Sequence, residues 1–252
     1  MLKQLALTAL IMGVSTVIGT LIGFLFRRIP HKYNDCILGS AAGFMLAAAI
    51  LGLILPAISH DSAYAVPMTL AGMLAGAFLV SILDVVTPHL HHLAGLDMEK
   101  HPADHGTGRV LLFIAAIAIH KLPEGLAAGV SFGTENMSDI LTVAGSISLQ
   151  NIPEAMVIVA PLLQIGVTRR RTLLISCAIA GISMLSTAAG YALITVTAPL
   201  LPFILAFAGG AMLYVVSDEM IPETHAHGHE KLATFSLLGG FMVTLILQNI
   251  IG

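Results

Sequence analysis

The sequence predicts an all-α integral membrane protein, with eight transmembrane helices and the character of an inverted repeat. Three observations support this fold class. The chain of 252 residues is 57% hydrophobic and only 10% charged, and its mean hydropathy of +0.94 is far from that of a soluble globular protein. Eight apolar runs are long enough to cross a hydrocarbon core of about 30 Å. A short polar motif also occurs twice, once in the fourth run and once in the fifth.

The eight predicted spans are joined by short loops, so we expect one polytopic membrane domain over residues 1–252 and no separate soluble domain. The spans cover roughly residues 4–26, 34–58, 66–90, 109–133, 139–164, 172–196, 202–222 and 232–251. The first run is expected to be a true span and not a signal peptide. Its apolar part is too long, and it ends in Phe26-Arg27-Arg28 instead of a small-residue cleavage site.

The basic residues of the loops predict the orientation of the spans. They follow the odd-numbered spans, as Arg27, Arg28, Lys32, Lys100, Arg109, Arg169, Arg170, Arg171 and Lys231. The loops after the even-numbered spans contain no Lys or Arg. Because basic loops stay in the cytoplasm, we expect a multi-pass protein of the cell (inner) membrane with both termini on the non-cytoplasmic side.

The second and third spans contribute candidate residues for a cation pathway. Met45 lies on a small-residue face of the second span, where helices can approach closely; a thioether there can line a cation path or simply belong to the core. Asp84 lies near the inner end of the third span. The cytoplasmic segment that follows, with its loop at 91–108, is rich in histidine: His89, His91, His92, His101 and His105. This segment is either a weak metal buffer or sensor, or an ordinary solvated loop.

The repeated motif consists of two hexapeptides, His120-Lys-Leu-Pro-Glu-Gly125 in the fourth span and Gln150-Asn-Ile-Pro-Glu-Ala155 in the fifth. In each, a candidate metal ligand stands four residues before a glutamate, which puts both side chains on one helix face. The proline in each motif frees a backbone carbonyl of the preceding turn. Each hexapeptide is therefore half of a predicted binding site, and the alternative is a kinked, polar-lined contact between helices.

The charge of the hexapeptides restricts how their helices can pack. Glu124, Glu154 and Lys121 would each cost about 2.5–3.5 kcal/mol at a bilayer centre, so they must face one another or a wet cavity. Because the two spans are antiparallel, His120 should be level with Glu154, and Glu124 with Gln150. One imidazole nitrogen and three oxygen donors suit Zn²⁺, Fe²⁺, Mn²⁺ or Cd²⁺, and not Cu⁺. Midplane sites on interrupted helices are typical of transporters built from inverted repeats.

The inner end of the seventh span is a second polar region. Glu219 and Glu223 are four residues apart there, and His225, His227 and His229 follow. These residues are either an inner gate or exit site for a cation, or ordinary polar residues at a water-facing helix end.

Taken together, these motifs resemble the ZIP (Zrt/Irt-like) metal transporters, most closely their bacterial GufA-like branch. The resemblance rests on the two Pro-Glu hexapeptides, the eight spans, and two further segments, Ala-Ala-Gly-Phe-Met-Leu-Ala at 41–47 and Val-Val-Ser-Asp-Glu-Met-Ile-Pro-Glu at 215–223. It implies a ZIP-like transporter fold that moves divalent transition-metal ions, Zn²⁺ foremost, toward the cytoplasm. It also implies an elevator-like displacement of a domain containing spans four and five, and a homodimer.

The resemblance further implies a ligand set, which carries over onto His120, Glu124, Gln150, Asn151 and Glu154, with Met45 matching a pathway methionine. The expected partners are divalent metal ions and the lipid bilayer, with no nucleic acid and no cofactor beyond the transported metal. Two positions depart from the family pattern. Lys121 stands where asparagine is common, and Met184 stands where two-metal members carry a glutamate. We therefore expect a mononuclear site in which Lys121 replaces the second metal.

Two other functions are compatible with part of the pattern. An intramembrane metal-dependent hydrolase would use His120 and Glu124 to hold Zn²⁺ and activate water, but the chain lacks an HExxH motif and a second midplane histidine. A proton-relaying carrier would use the glutamates for protons instead of metal. We expect a transporter and not an enzyme.

Overall fold

The computed structural model describes residues 2–26, 30–86, 121–164, 166–196 and 198–251. Apart from turns and short connections, these residues are helical. We number the helices in chain order: α1 (Leu2–Gly23), α2 (His31–Ala47, continued by Ala48–Ile54 and Leu55–Ile58), α3 (Ala65–Val86), α4 (121–130), α5 (Met137–Gln164), α6 (Arg169–Val196), α7 (Leu201–Val215, continued by Val216–Met220 and Ile221–His225) and α8 (Glu230–Ile251).

Seven of these helices are long and apolar enough to cross a membrane, namely α1, α2, α3, α5, α6, α7 and α8. Helix α4 is the described part of the predicted fourth span. Large apolar side chains cover the outer faces, with Leu74 of α3 73% exposed and Phe235 of α8 72% exposed. An all-α membrane fold explains this exposure, because apolar side chains on the outside of a spanning helix face lipid.

Helices α2 and α7 share an unusual local structure. Each contains a π-helical segment, Ala48–Ile54 in α2 and Val216–Met220 in α7, and a proline follows each segment, at Pro56 and Pro222. A proline cannot donate its backbone hydrogen bond and crowds the preceding turn, and a π-helical turn accommodates such an interruption. The sequence Gly-x-Met-Leu precedes both segments, at 43–46 and 210–213. The two helices thus share both a short sequence and an interrupted local structure.

The helices form two bundles. In the first bundle, α3 packs on α7, α8 packs on α2, and the π-helical segment of α2 also contacts α7. In the second bundle, α1 packs on α5 and α6, and α4 packs on α6. Glycines bring the backbones into contact inside each bundle: a Cβ added at Gly43 would lie 2.0 Å from the carbonyl oxygen of Leu237, and one added at Gly129 would lie 2.2 Å from that of Thr187. Such close approach is how helices associate in lipid.

The contact between the bundles is of a different kind. Helix α5 of the second bundle lies against α2 and α8 of the first. A Cβ added at Gly52 would lie 2.2 Å from Cγ2 of Val143, which is a side-chain atom, and Ser146 and Thr244 share a hydroxyl hydrogen bond of 3.2 Å. The bundles therefore meet here through side chains, whereas the helices inside each bundle approach backbone to backbone.

Candidate metal centre

The two hexapeptides meet inside the second bundle, and Lys121 is at the centre of their contact. Its ammonium donates to Glu124 Oε2 at 2.6 Å, to Asn151 Oδ1 at 2.8 Å, and to Glu154 Oε2. Lys121 is 4% exposed and Glu124 2% exposed. All three protons of the ammonium are therefore used, and two carboxylates share one cation.

Helix periodicity explains why these side chains converge. Lys121 and Glu124 are three residues apart on α4, and Asn151 and Glu154 are three apart on α5, so each pair lies on one helix face. The two faces point at each other because α4 and α5 are antiparallel and belong to the same bundle. Unpaired charges buried between apolar helices would be costly, and the mutual pairing of these three side chains lowers that cost.

Gln150 completes the buried network and leaves one atom without a donor. It is 0% exposed, and its amide nitrogen donates to Glu124 Oε1 at 2.9 Å. Its carbonyl oxygen, Oε1, is buried and accepts no hydrogen bond from the described residues. Leaving a buried acceptor unsatisfied costs about 1–3 kcal/mol. This oxygen is therefore suited to a cation.

Asn151 links the site to α1. Its side-chain amide donates to the backbone oxygen of Met12 at 3.2 Å, while its own oxygen accepts from Lys121. The hydroxyls of Ser15 and Thr16 donate to the same Met12 oxygen at 2.8 and 3.2 Å. Both polar atoms of the Asn151 side chain are thus occupied, and α1 is held against the two helices of the site.

The structure places the other predicted residues as follows. His120 lies outside the described residues, as do the histidines of the loop segment, His89, His91, His92, His101 and His105. Asp84 lies in the last turn of α3, and its side chain is outside the described part. Met45 is 0% exposed. Met184, where the resemblance implies a glutamate in two-metal members, packs its sulfur against Gly13 of α1.

In the described ranges, no group of three or more His, Cys, Asp and Glu side chains is arranged to hold a metal ion. At the hexapeptides the reason is plain. The described part contributes two carboxylates, and the other predicted ligands are the amides of Gln150 and Asn151 and the imidazole of His120. Among the described residues, the cation that contacts both carboxylates is Lys121.

Where the start of α2 meets the segment after α7, the structure buries a carboxylate that the sequence pattern did not single out. Asp35, in the first turns of α2, is 0% exposed; its two oxygens lie 3.0 Å from His227 Nδ1 and 3.4 Å from His229 Nδ1, and the ring of His31 stacks on that of His227 at 4.3 Å. His225 instead lies 2.8 Å from the Ile221 carbonyl oxygen. The spacing of His31 and Asp35, four residues apart at a helix start, is the only local signal that could have found this cluster.

A helical bundle that buries two carboxylates and a lysine inside apolar spans defines a multi-pass membrane protein with a polar site between its helices. Comparison with known proteins identifies the family. The family model described as "ZIP Zinc transporter" matches residues 95–248. The chain is 35% identical to Zinc transporter ZIPB of Bordetella bronchiseptica over 94% of this chain and 78% of that protein. It is 34% identical to Zinc transporter GufA of Myxococcus xanthus over 97% of both.

A third relative, Zinc transporter ZupT of Chlorobaculum parvum, is 29% identical over 94% of this chain and 93% of that protein. The chain belongs to the ZIP zinc transporter family. This result confirms the family resemblance that the hexapeptides indicated.

Proposed function

We propose that this protein transports divalent transition-metal ions into the cytoplasm, with Zn²⁺ as the main cargo and Fe²⁺, Mn²⁺ and Cd²⁺ as further candidates. The site lies at the bilayer midplane on α4 and α5 and holds one ion. The observation that carries the proposal is the ammonium of Lys121 between Glu124 and Glu154, with the Gln150 carbonyl oxygen beside them. The relatives, which are named as zinc transporters, support the choice of metal. No cofactor besides the transported metal is needed.

The proposed ligands are His120, Glu124, Gln150 and Glu154. Glu124 and Gln150 already touch each other, and the free oxygen of Gln150 gains a partner when a cation binds. A set of one nitrogen and three oxygens binds Zn²⁺ more weakly than thiolates do. A carrier requires this weaker binding because its ion must leave.

We assign Asn151 to the lysine and not to the metal. Its oxygen accepts from the ammonium and its amide donates to the Met12 carbonyl, so neither atom is available to an ion while Lys121 is in place. Asn151 therefore positions Lys121, and its role depends on the residue at position 121.

The charges favour one ion over two. Two carboxylates and one ammonium give the group a net charge of −1, and one divalent ion changes it to +1. A divalent ion placed about 4 Å from the ammonium would be repelled by about 8 kcal/mol at an effective dielectric constant of about 20. The second-metal position is thus occupied by the charge of Lys121.

The arrangement of the helices supports an elevator-like movement. The site lies entirely in the bundle of α1, α4, α5 and α6, whose helices are held together by backbone contacts. That bundle meets α2 and α8 through side chains, including Gly52 against Val143. Side-chain contacts can slide past one another more readily than interlocked backbones, so the second bundle is the proposed transport domain and the first is the scaffold.

The remaining parts of the pathway follow from the proposed orientation. Both termini lie on the non-cytoplasmic side of the inner membrane. In this orientation, Met45 lines the approach of the ion to the site, and Asp84, Glu219 and Glu223 line its exit to the cytoplasm. The histidines near the cytoplasmic surface collect the released ion. A homodimer, as implied by the family resemblance, is part of the proposal.

Metal uptake by proteoliposomes tests the proposal. Wild-type protein should give saturable Zn²⁺ uptake, and Glu154→Gln should abolish it because the substitution removes a proposed ligand and keeps the shape. Glu135→Gln is the matched control, since Glu135 is exposed in the turn between α4 and α5. Near-normal uptake and apparent affinity in Glu154→Gln and in His120→Ala would refute the ligand assignment.

A further inference from the structure

An apolar groove lies in the seam between the two bundles. Its volume is about 430 Å³, and it is lined by α3 and α7 of the first bundle and by α4 and α6 of the second. We call it the seam groove, and its walls include Val80, Leu122, Pro123, Leu126, Ala208 and Ala211. Pro123 belongs to the first hexapeptide, so the seam groove lies directly beside the candidate metal centre.

The described residues that line the seam groove are apolar except for Ser186. The hydroxyl of Ser186 donates to the carbonyl oxygens of Ile182 and Ser183 in its own helix, at 2.9 and 3.1 Å, so it is already hydrogen-bonded. Apolar cavities of this kind stay dry, and one of about 150 Å³ is large enough to bind benzene. The seam groove is nearly three times that size, so it has room for an apolar chain, and its apolar lining disfavours water.

The seam groove opens to the lipid-facing surface. Leu79, Leu122 and Leu185 lie at its mouth and are 43%, 42% and 73% exposed. Leu79 and Leu185 belong to helices that are long and apolar enough to span a membrane, so the mouth is continuous with the surface that the hydrocarbon covers. The inner wall is buried, with Val80 1% exposed and Ala208 3% exposed.

We propose that the seam groove binds one acyl chain of a bilayer lipid, inserted past Leu122 and Leu185 to reach Val80, Ala208 and Ala211. The mouth lies on a surface that the hydrocarbon of a bilayer would cover, and the lining is apolar, so both point to lipid as the occupant. The inserted chain fills the space between α4 and α7, where the two bundles would otherwise be separated by a void. An empty void of this size would cost dispersion contacts on both walls.

Photolabelling with lipid tests this inference. The protein is reconstituted in vesicles of phosphatidylcholine that carries a diazirine in the middle of one acyl chain, and the adducts are mapped by mass spectrometry after irradiation. Leu74, on the outer face of α3, should be labelled as an ordinary lipid contact. Val80, Ala208 or Ala211 should also be labelled although they are buried. Ala206 should not be labelled, because it is 0% exposed, lies on the same helix as Ala208 and Ala211, and does not line the groove.

A bulky substitution that fills the groove, here called a plug, gives the matched control for the wild-type labelling. Ala208→Phe should reduce labelling of Val80 and Ala211 at least about fivefold and leave labelling of Leu74 unchanged. Ala189→Leu, which fills the groove from α6, serves the same purpose if the first variant does not fold. Labelling of Leu74 without labelling of the inner wall would overturn the inference, as would inner-wall labelling that neither plug reduces; the first result would be expected if a second copy of this chain filled the groove. The assay uses neither metal nor transport, so its outcome is independent of the proposed function.

Discussion

Replacing Lys121 with asparagine gives the most informative perturbation of the proposed metal centre. The change removes the ammonium that donates to Glu124, Asn151 and Glu154. The net charge of the group falls from −1 to −2, and both carboxylates lose their shared cation. Breaking a buried ion pair in this way costs about 3–5 kcal/mol, so Lys121→Asn should be much less stable than the wild type when no metal is present.

Metal binding should restore the stability that Lys121→Asn loses. Without the ammonium, the repulsion of about 8 kcal/mol on a second divalent ion is gone, and Asn151 Oδ1 becomes free to bind it. We expect the wild type to bind one Zn²⁺ or Cd²⁺ between α4 and α5, and Lys121→Asn to bind more than one. The second ion should bind weakly, because Met184 supplies no carboxylate.

Calorimetry and metal analysis of the purified protein measure the stoichiometry, and thermal unfolding with and without Zn²⁺ measures the linkage. Metal at about 100 times its dissociation constant adds about 2.7 kcal/mol for each site, so the metal-dependent rise in Tm should be larger in Lys121→Asn than in the wild type. Lys231→Asn is the control for loss of a lysine, because Lys231 is exposed at the start of α8. Two ions between α4 and α5 of the wild type, or identical stoichiometry in both proteins, would refute the reasoning.

Two further predictions concern the bundle contact and the topology. Gly52→Ala should lower Zn²⁺ uptake severalfold at unchanged metal stoichiometry, because its Cβ would lie 2.2 Å from Val143 Cγ2 and overpacking is costly. Adding Val143→Ala should restore most of the uptake. An equal loss of uptake in the double variant would contradict a steric cause. In a cysteine-free background, single cysteines at Asn136 and near Gly252 should react with a membrane-impermeant reagent from outside the cell, and cysteines in 93–107 should not. The reverse labelling pattern would invert the proposed orientation.

Much of the polar network could be predicted because its residues are close in sequence and governed by helix periodicity. The expectation that Glu124 is level with Gln150 agrees with the hydrogen bond of 2.9 Å between them. The expectation that the charges face one another agrees with the contacts of Lys121, since apolar surroundings leave buried charges few other partners. The position of His120 relative to Glu154 stays a prediction.

Other features could not be derived from the sequence because their causes are distant or lie outside the hydrocarbon region. Asp35 meets His227 across most of the chain length, and no local pattern joins them. The helix starting at His31 begins before the apolar run that predicted it, because helices extend into the polar interface where hydropathy gives no signal. The π-helical segments share a preceding Gly-x-Met-Leu and a following proline, but neither feature by itself specifies a π-helical turn.

The built-in cation also bears on the return of the empty carrier under the proposed function. An elevator must move its site across the membrane twice in each cycle, once with metal and once without. With Lys121 in place, the empty site carries −1 and the loaded site +1, so both journeys move a charge of the same magnitude. With asparagine at 121, the empty site would carry −2 and the site with one metal would be neutral. The cost of burying charge rises steeply with its magnitude, so the empty return would become the difficult step. Under the proposed function, Lys121 thus weakens metal binding through repulsion and makes the two crossings of the membrane more equal in charge. This effect favours fast turnover over high affinity.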